Sequence, residues 1–244
     1  MELRILWMYH NIMDLYGDKG NIAVLEKRCH ARHIDVIVDT CGISEQKDFS
    51  KYDLIFMGGG ADKEQALVYD DLIRRKEAFQ QALKEHTFIL LICGGYQLFG
   101  KYYIDADGNR IEGLGLFDYY TEAASSNRRC IGNVLIQANL DGEEMEIVGF
   151  ENHGGQTVGV TTSFGKVFHG HGNYFGGTQE GFYNGQVLGT YLHGPLLPKN
   201  PKLADHIILK ALSKRYDNVS LAALDDTLEQ AAFAVMKKRM LAKE

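Results

Sequence analysis

Ten residues, Phe88 to Gln97, constrain this chain more than any other stretch. Phe88-Ile89-Leu90-Leu91-Ile92 is an unbroken apolar run with β-branched members, and a strand without polar alternation is one covered on both faces, as in a parallel sheet. Cys93 ends the run. Gly94 and Gly95 follow, and Tyr96-Gln97-Leu98-Phe99 then opens a helical apolar pattern, so the chain turns sharply from strand to helix with a thiol at the bend. Such a turn resembles a nucleophile elbow, which lifts a Ser or Cys above the carboxyl edge of a sheet and leaves the next backbone N–H, here that of Gly94, free as an oxyanion donor. A helix N-terminus also favours a thiolate. A plain buried cysteine would fit the same stretch, because free Cys is among the most buried residues. The local sequence allows both.

The chain before this turn reads as α/β. Leu3–Tyr9 predicts a strand, Ile22–Arg32 a helix with Ile22, Val24, Leu25 and Cys29 on one face, and Ile34–Val38 a second strand, which makes a βαβ unit. Tyr52–Met57 predicts a third strand that runs into Gly58-Gly59-Gly60, and Asp62–Glu85 reads as one long helix. A triple glycine lets backbone N–H groups approach a ligand without Cβ hindrance, although a simple strand-to-helix turn needs no more than the same glycines. Placed beside Cys93, the Gly59 and Gly60 loop would put two donor-rich turns on the edge where open α/β sheets bind ligands.

After the elbow the pattern shifts. Asp105-Ala106-Asp107-Gly108-Asn109 predicts a hairpin turn, and Ile131–Ala138 with Glu146–Glu151 predicts shorter strands, antiparallel to the first set or at its edge. Gln186–Tyr191 predicts a last strand ending in His193-Gly194-Pro195, and Pro201–Arg215 and Leu224–Lys243 predict two closing helices. The expected fold class is α/β, with a three-layer arrangement: a mostly parallel, mixed central sheet flanked by helices, in a single domain over residues 1–244.

A catalytic thiol needs an imidazole within hydrogen-bond reach. Of nine histidines, His193 and His153 both sit beside glycines at expected strand ends, and sequence position alone does not rank them. His169 and His171 alternate with glycines, but no Cys or carboxylate lies at ligand spacing, so no metal site is expected. The four cysteines show no paired spacing and fit a reducing compartment. A net charge of −6 without a basic block argues against nucleic acid as a partner. No apolar run reaches 18 residues, so no membrane span is expected, and a cytoplasmic location follows as the expectation.

Three motifs in this order, Gly58-Gly59-Gly60, Ile92-Cys93-Gly94-Gly95-Tyr96-Gln97 and Tyr191-Leu192-His193-Gly194-Pro195, resemble a class I glutamine amidotransferase of the cobyric-acid-synthase (CobB/CobQ-like) type. Within that group the chain is similar from end to end to the glutaminase subunits of lipid II isoglutaminyl synthases. The closer likeness is carried by Asp14–Asn21, Gly58–Leu67, Cys93–Gly100, Phe150–Gly155 and Gly189–Asn200. The resemblance implies that Cys93 attacks the side-chain amide of L-glutamine and that His193 serves as base and then acid. It implies an oxyanion hole from the N–H groups of Gly59, Gly60 and Gly94, a pocket shaped in part by Gln97, and Arg128 as a grip on the substrate.

The same resemblance implies that ammonia passes to a Mur-ligase-like, MurT-type, ATP-dependent subunit in a heterodimer. That partner would hold ATP and Mg and amidate the D-glutamate α-carboxylate of lipid II to D-isoglutamine in peptidoglycan synthesis. This chain carries no Gly-x-x-x-x-Gly-Lys-Ser/Thr phosphate loop, in keeping with ATP on a separate subunit. Two departures stand out. Many class I enzymes place Glu two residues after the histidine, where this chain has Pro195, and Gly two residues before the nucleophile, where it has Leu91. The residue that orients the imidazole is therefore unassigned in the sequence. An amidotransferase subunit for cobyrinic acid or another carboxylate, and a non-catalytic regulatory subunit on the same fold, are the alternatives.

Overall fold

A computed structural model describes residues 1–124 and 128–242. The first half alternates: β1 (Glu2–Met8), α1 (Lys19–His30), β2 (Asp35–Cys41), β3 (Leu54–Met57), α2 (Asp62–Arg74), α3 (Lys76–Lys84), β4 (Phe88–Ile92) and α4 (Gly94–Phe99). The stretch expected as one helix is two, because the backbone leaves helical geometry at Arg75 (φ −93°, ψ 4°). There the Arg75 guanidinium turns inward to Asp71 and the Gly42 carbonyl instead of staying on a solvated helix face. The second half is mostly strand: β5 (Tyr102–Ile104), β6 (Arg110–Glu112), β7 (Tyr120–Ala123), β8 (Cys130–Leu140), β9 (Glu143–His153), β10 (Gly155–Val158), β11 (Gly165–His169), β12 (Gln179–Glu180), β13 (Phe182–Tyr183) and β14 (Val187–Thr190). Helices α5 (Pro201–Leu212) and α6 (Thr227–Leu241) follow.

The central sheet runs β13-β14-β4-β3-β1-β2. All its pairings are parallel except β13 with β14. Every residue of β3 and β4 is buried, which is why neither strand shows polar alternation in the sequence. Each such Leu, Ile or Phe contributes about 1.5–3 kcal/mol by leaving water. The sheet is mixed, but its antiparallel member is the short β13. The strands expected at its edge, 131–138 and 146–151, instead form a long hairpin in a separate four-stranded antiparallel sheet, β12-β11-β8-β9. Partial alternation along β8 and β9 signals one buried face and cannot say which sheet that face belongs to. A third sheet, β10-β7-β5-β6, contains the hairpin expected at 105–109.

The second sheet is joined to the segment just after β14 by an isolated bridge. Phe150 and His193 exchange backbone bonds, His193 N–H to Phe150 O at 2.8 Å and Phe150 N–H to His193 O at 3.3 Å. Around it, two of the stretches that carried the resemblance interlock. Gly20 gives Pro195 the room a side chain would take, a Cβ there falling 2.5 Å from Pro195 Cγ, and Asn21 Oδ1 accepts from Leu197 N–H. Asn200 clamps the same loop by accepting from Val148 N–H and donating to the Val148 and Leu196 carbonyls. Pro195 is thus a packing residue against α1.

Candidate active site

Four adjacent strands, β14, β4, β3 and β1, end at one edge of the central sheet, and each is followed by a piece of one site. His193 follows β14, Cys93 follows β4, the Gly58–Gly60 loop follows β3, and a turn at Leu15–Gly17 with Asp18 follows β1. Cys93 stands at φ 49°, ψ −106°, a conformation L-residues rarely adopt. It is held there from both sides, its N–H on Thr190 O at 2.8 Å and its carbonyl accepting from Gln97 N–H at 2.9 Å. Strain fixed by surrounding hydrogen bonds at a strand-to-helix turn is the mark of an elbow.

Gly59 is the space between the reacting groups. A Cβ on it would lie 2.7 Å from His193 Cε1, 3.2 Å from Asp18 Oδ2 and 3.3 Å from Cys93 Cβ. Three side chains therefore close on one glycine. His193 Nδ1 faces Asp18 Oδ1 at 3.4 Å, both side chains fully buried, which leaves the opposite ring nitrogen for the thiol side. His193 Nε2 is buried and has no hydrogen-bond partner among the described residues. Burial by itself would lower the affinity of this imidazole for a proton. The charge of Cys93 and the hydrogen bonds and charge of Asp18 outweigh it and bring the pKa up to about 10.

A cavity of about 300 Å³ opens above Cys93. On its floor Gln65 Nε2 donates to the Gly60 carbonyl and to Gln97 Oε1, and Gln97 Nε2 donates to the Tyr191 hydroxyl at 3.2 Å. Gln97 is thereby locked as a wall. His153 lies on the wall too, but its ring stacks on Tyr191 at 3.6 Å and its Nδ1 meets the Gly155 carbonyl at 2.7 Å. Its Nε2 lies 3.8 Å from Glu151, whose two oxygens accept the His171 and Gly172 N–H groups. His153 is occupied in building the wall. Arg129 lines the cavity with its Nε on Asn152 Oδ1 at 3.0 Å.

Of the residues singled out in the sequence, Cys93, His193, Gly59, Gly60, Gly94 and Gln97 come together. Two of the expected residues sit differently from the rest. Gly59 N–H donates to Asp18 Oδ2 at 2.7 Å, so it is not free for an oxyanion, whereas the Gly60 and Gly94 N–H groups make no such bond among the described residues. Arg128 and Arg129 are both exposed, and of the two Arg129 lines the cavity among the described residues. Ser126 and Asn127 before it lie outside the described residues. Asp18, Tyr16, Gln65 and Arg129 were missed. Asp18 sits in a stretch that carried the resemblance, but only the strand order, β1 beside β3, brings it to the histidine.

A buried cysteine on an elbow, an imidazole beside it and free N–H groups around it are the parts with which a cysteine enzyme cleaves amides. The chain matches the model of the CobB/CobQ-like glutamine amidotransferase domain over residues 4–201, and it belongs to that family. It is 39% identical over 238 residues to the lipid II isoglutaminyl synthase (glutamine-hydrolyzing) subunit GatD of Staphylococcus aureus, which covers 98% of this chain and 96% of that one. The subunit of the same name from Streptococcus pneumoniae is 39% identical over 232 residues, covering 94% and 88%. A probable cobyric acid synthase of Methanococcus maripaludis is 36% identical over 116 residues, which is 44% of this chain and 23% of that protein. Among solved structures, the glutaminase domain of Trypanosoma brucei CTPS with bound acivicin shares the fold at TM-score 0.52 and 12% identity, covering 90% and 96%. Among the described residues no helix is long and apolar enough to cross a membrane.

Proposed function

We propose that this chain is the glutaminase subunit of a lipid II isoglutaminyl synthase. The Cys93 sulfur adds to the side-chain carbonyl carbon of L-glutamine, and the oxyanion is held by the Gly60 and Gly94 N–H groups. His193 gives its proton to the amide nitrogen, the C–N bond breaks and ammonia leaves. Water then loses a proton to His193 and adds to the γ-glutamyl thioester, which releases glutamate and restores the sulfur. Asp18 keeps the imidazole turned to the sulfur throughout, and Arg129 takes the substrate α-carboxylate in a bidentate grip.

Ammonia is consumed by a separate MurT-type, Mur-ligase-like subunit that activates the D-glutamate α-carboxylate of lipid II with ATP and Mg. The two chains form a heterodimer with a sheltered route between sites, in the cytoplasm where ATP is supplied. The observation that carries the subunit reading is the end-to-end likeness to the two GatD chains, which match over nearly all of both lengths, against cobyric acid synthases matched over 44% to 70% of this chain and 23% to 36% of their own length. The test is reconstitution with such a ligase, lipid II, ATP and Mg. Glutamine should support conversion of the D-glutamate carboxyl to a carboxamide by mass spectrometry, and the Cys93→Ala complex should work with ammonium chloride alone. Failure of the wild-type complex with both nitrogen sources would remove lipid II as acceptor.

A further inference from the structure

Tyr16 stands at φ 57° in the Leu15–Gly17 turn, a left-handed conformation that a tyrosine keeps only where its surroundings hold it. Both flanks of the turn are tied to one glycine. Leu15 N–H donates to Gly59 O at 3.0 Å, and Gly59 N–H donates to Asp18 Oδ2 at 2.7 Å. So held, the Tyr16 ring stands edge-on to the His193 imidazole, centroids 5.1 Å apart with planes at 74°, and edge-on to Phe150 at 6.3 Å. Its hydroxyl accepts from Asn152 Nδ2, and Asn152 Oδ1 accepts from Arg129 Nε. All three side chains line the cavity over Cys93. His193 has no exposed surface, whereas Tyr16 is 43% exposed, so the phenol ring lies between the imidazole and solvent.

We propose that Tyr16 is a positioning residue that roofs the catalytic couple: its ring confines the His193 imidazole against Asp18 and Cys93 and keeps bulk water from the sulfur, with Asn152 as its latch. The inference rests on the thioester chemistry proposed above. Tyr16 itself donates no proton and carries no charge in the reaction. It acts through His193, so its removal should impair turnover while making the sulfur easier to reach.

Tyr16→Gly takes the same φ without strain and removes only the ring. In the complex with the ligase subunit, we expect kcat for L-glutamine to fall at least about ten-fold with KM changed less than about three-fold, the pattern of lost positioning rather than lost binding. Alkylation of Cys93 by iodoacetamide, followed by mass spectrometry, should become faster than in the wild type. Tyr16→Phe keeps the ring and loses only the hydroxyl's bond to Asn152, so it should restore most of the turnover lost in Tyr16→Gly; a kcat as low as that of Tyr16→Gly would show that the ring is not what positions His193. Wild-type turnover in Tyr16→Gly, or turnover and alkylation falling together, would overturn the roof. A wild-type complex that releases no ammonia from glutamine would instead sink the underlying chemistry.

Discussion

His193 Nδ1 lies 3.4 Å from Asp18 Oδ1, and neither side chain reaches solvent. The pair joins residues 175 positions apart and supplies the orienting carboxylate that Pro195 cannot. Asp18 has a second attachment, since its other oxygen accepts from Gly59 N–H, so the carboxylate is fixed from the side opposite the histidine. Asp18→Asn keeps the size and replaces the acceptor facing Nδ1. General acid and base catalysis is worth about 10²–10⁴-fold, and we expect kcat to fall by about 10²-fold or more with KM nearly unchanged. Steady-state ammonia release checks this, and wild-type kcat in Asp18→Asn would show that the imidazole is oriented by its backbone alone.

Gly59 tests the spacing of the couple without touching its chemistry. A methyl group there would press on His193 Cε1 at 2.7 Å and on Cys93 Cβ at 3.3 Å, so something must shift. Because a displacement of about 1 Å can cost about 10²-fold in rate, Gly59→Ala should lose most of its turnover, with a melting temperature lowered by the overpacking but a single cooperative transition retained. Thermal melting alongside the rate assay separates this from misfolding.

Much of the fold was legible because the buried strands carry their signal locally. Phe88–Ile92 is apolar throughout since both of its faces are covered, and the two glycines after Cys93 announce the turn. The site was half legible for the same reason: Cys93, Gly59 and His193 each end a readable strand. Asp18 was not, because its role depends on β1 lying next to β3, and a strand's neighbours are not written in its own residues. The separate sheet of β8 and β9 was misplaced because alternation names a buried face without naming what buries it.

The two arginines should divide cleanly. Both are exposed, and among the described residues Arg129 is the one that lines the cavity. Loss of a charge-assisted bidentate contact costs on the order of 1.5–3 kcal/mol, so Arg129→Ala should raise KM for glutamine roughly ten- to a hundred-fold. Arg128→Ala should leave it within about two-fold. The reverse order in a KM comparison would return the grip to Arg128.

Glu180 gives the stability a pH dependence of known sign. Burial, helped by Glu151, raises its carboxyl from 4.5 to about 8, against the opposing bonds from Tyr191 N–H and Thr190 and the charge of His193. Between pH 4.5 and about 8 the folded chain therefore holds a proton that the unfolded chain releases, and stability falls as pH rises through that window, by at most about 1.4 kcal/mol per unit. Glu180→Gln keeps an acceptor for Tyr191 N–H and Thr190 and removes the titration. The melting temperature of the variant should gain on the wild type from pH 5 to pH 8, whereas parallel curves would mean that the carboxyl is charged in the fold.

Whether sulfur at position 93 is the nucleophile is decided most directly by ammonia release from L-glutamine in the complex, wild type against Cys93→Ala. The thioester route predicts steady release by the wild type and none above background from the variant, with folding and partner binding intact. Equal release from both would contradict it.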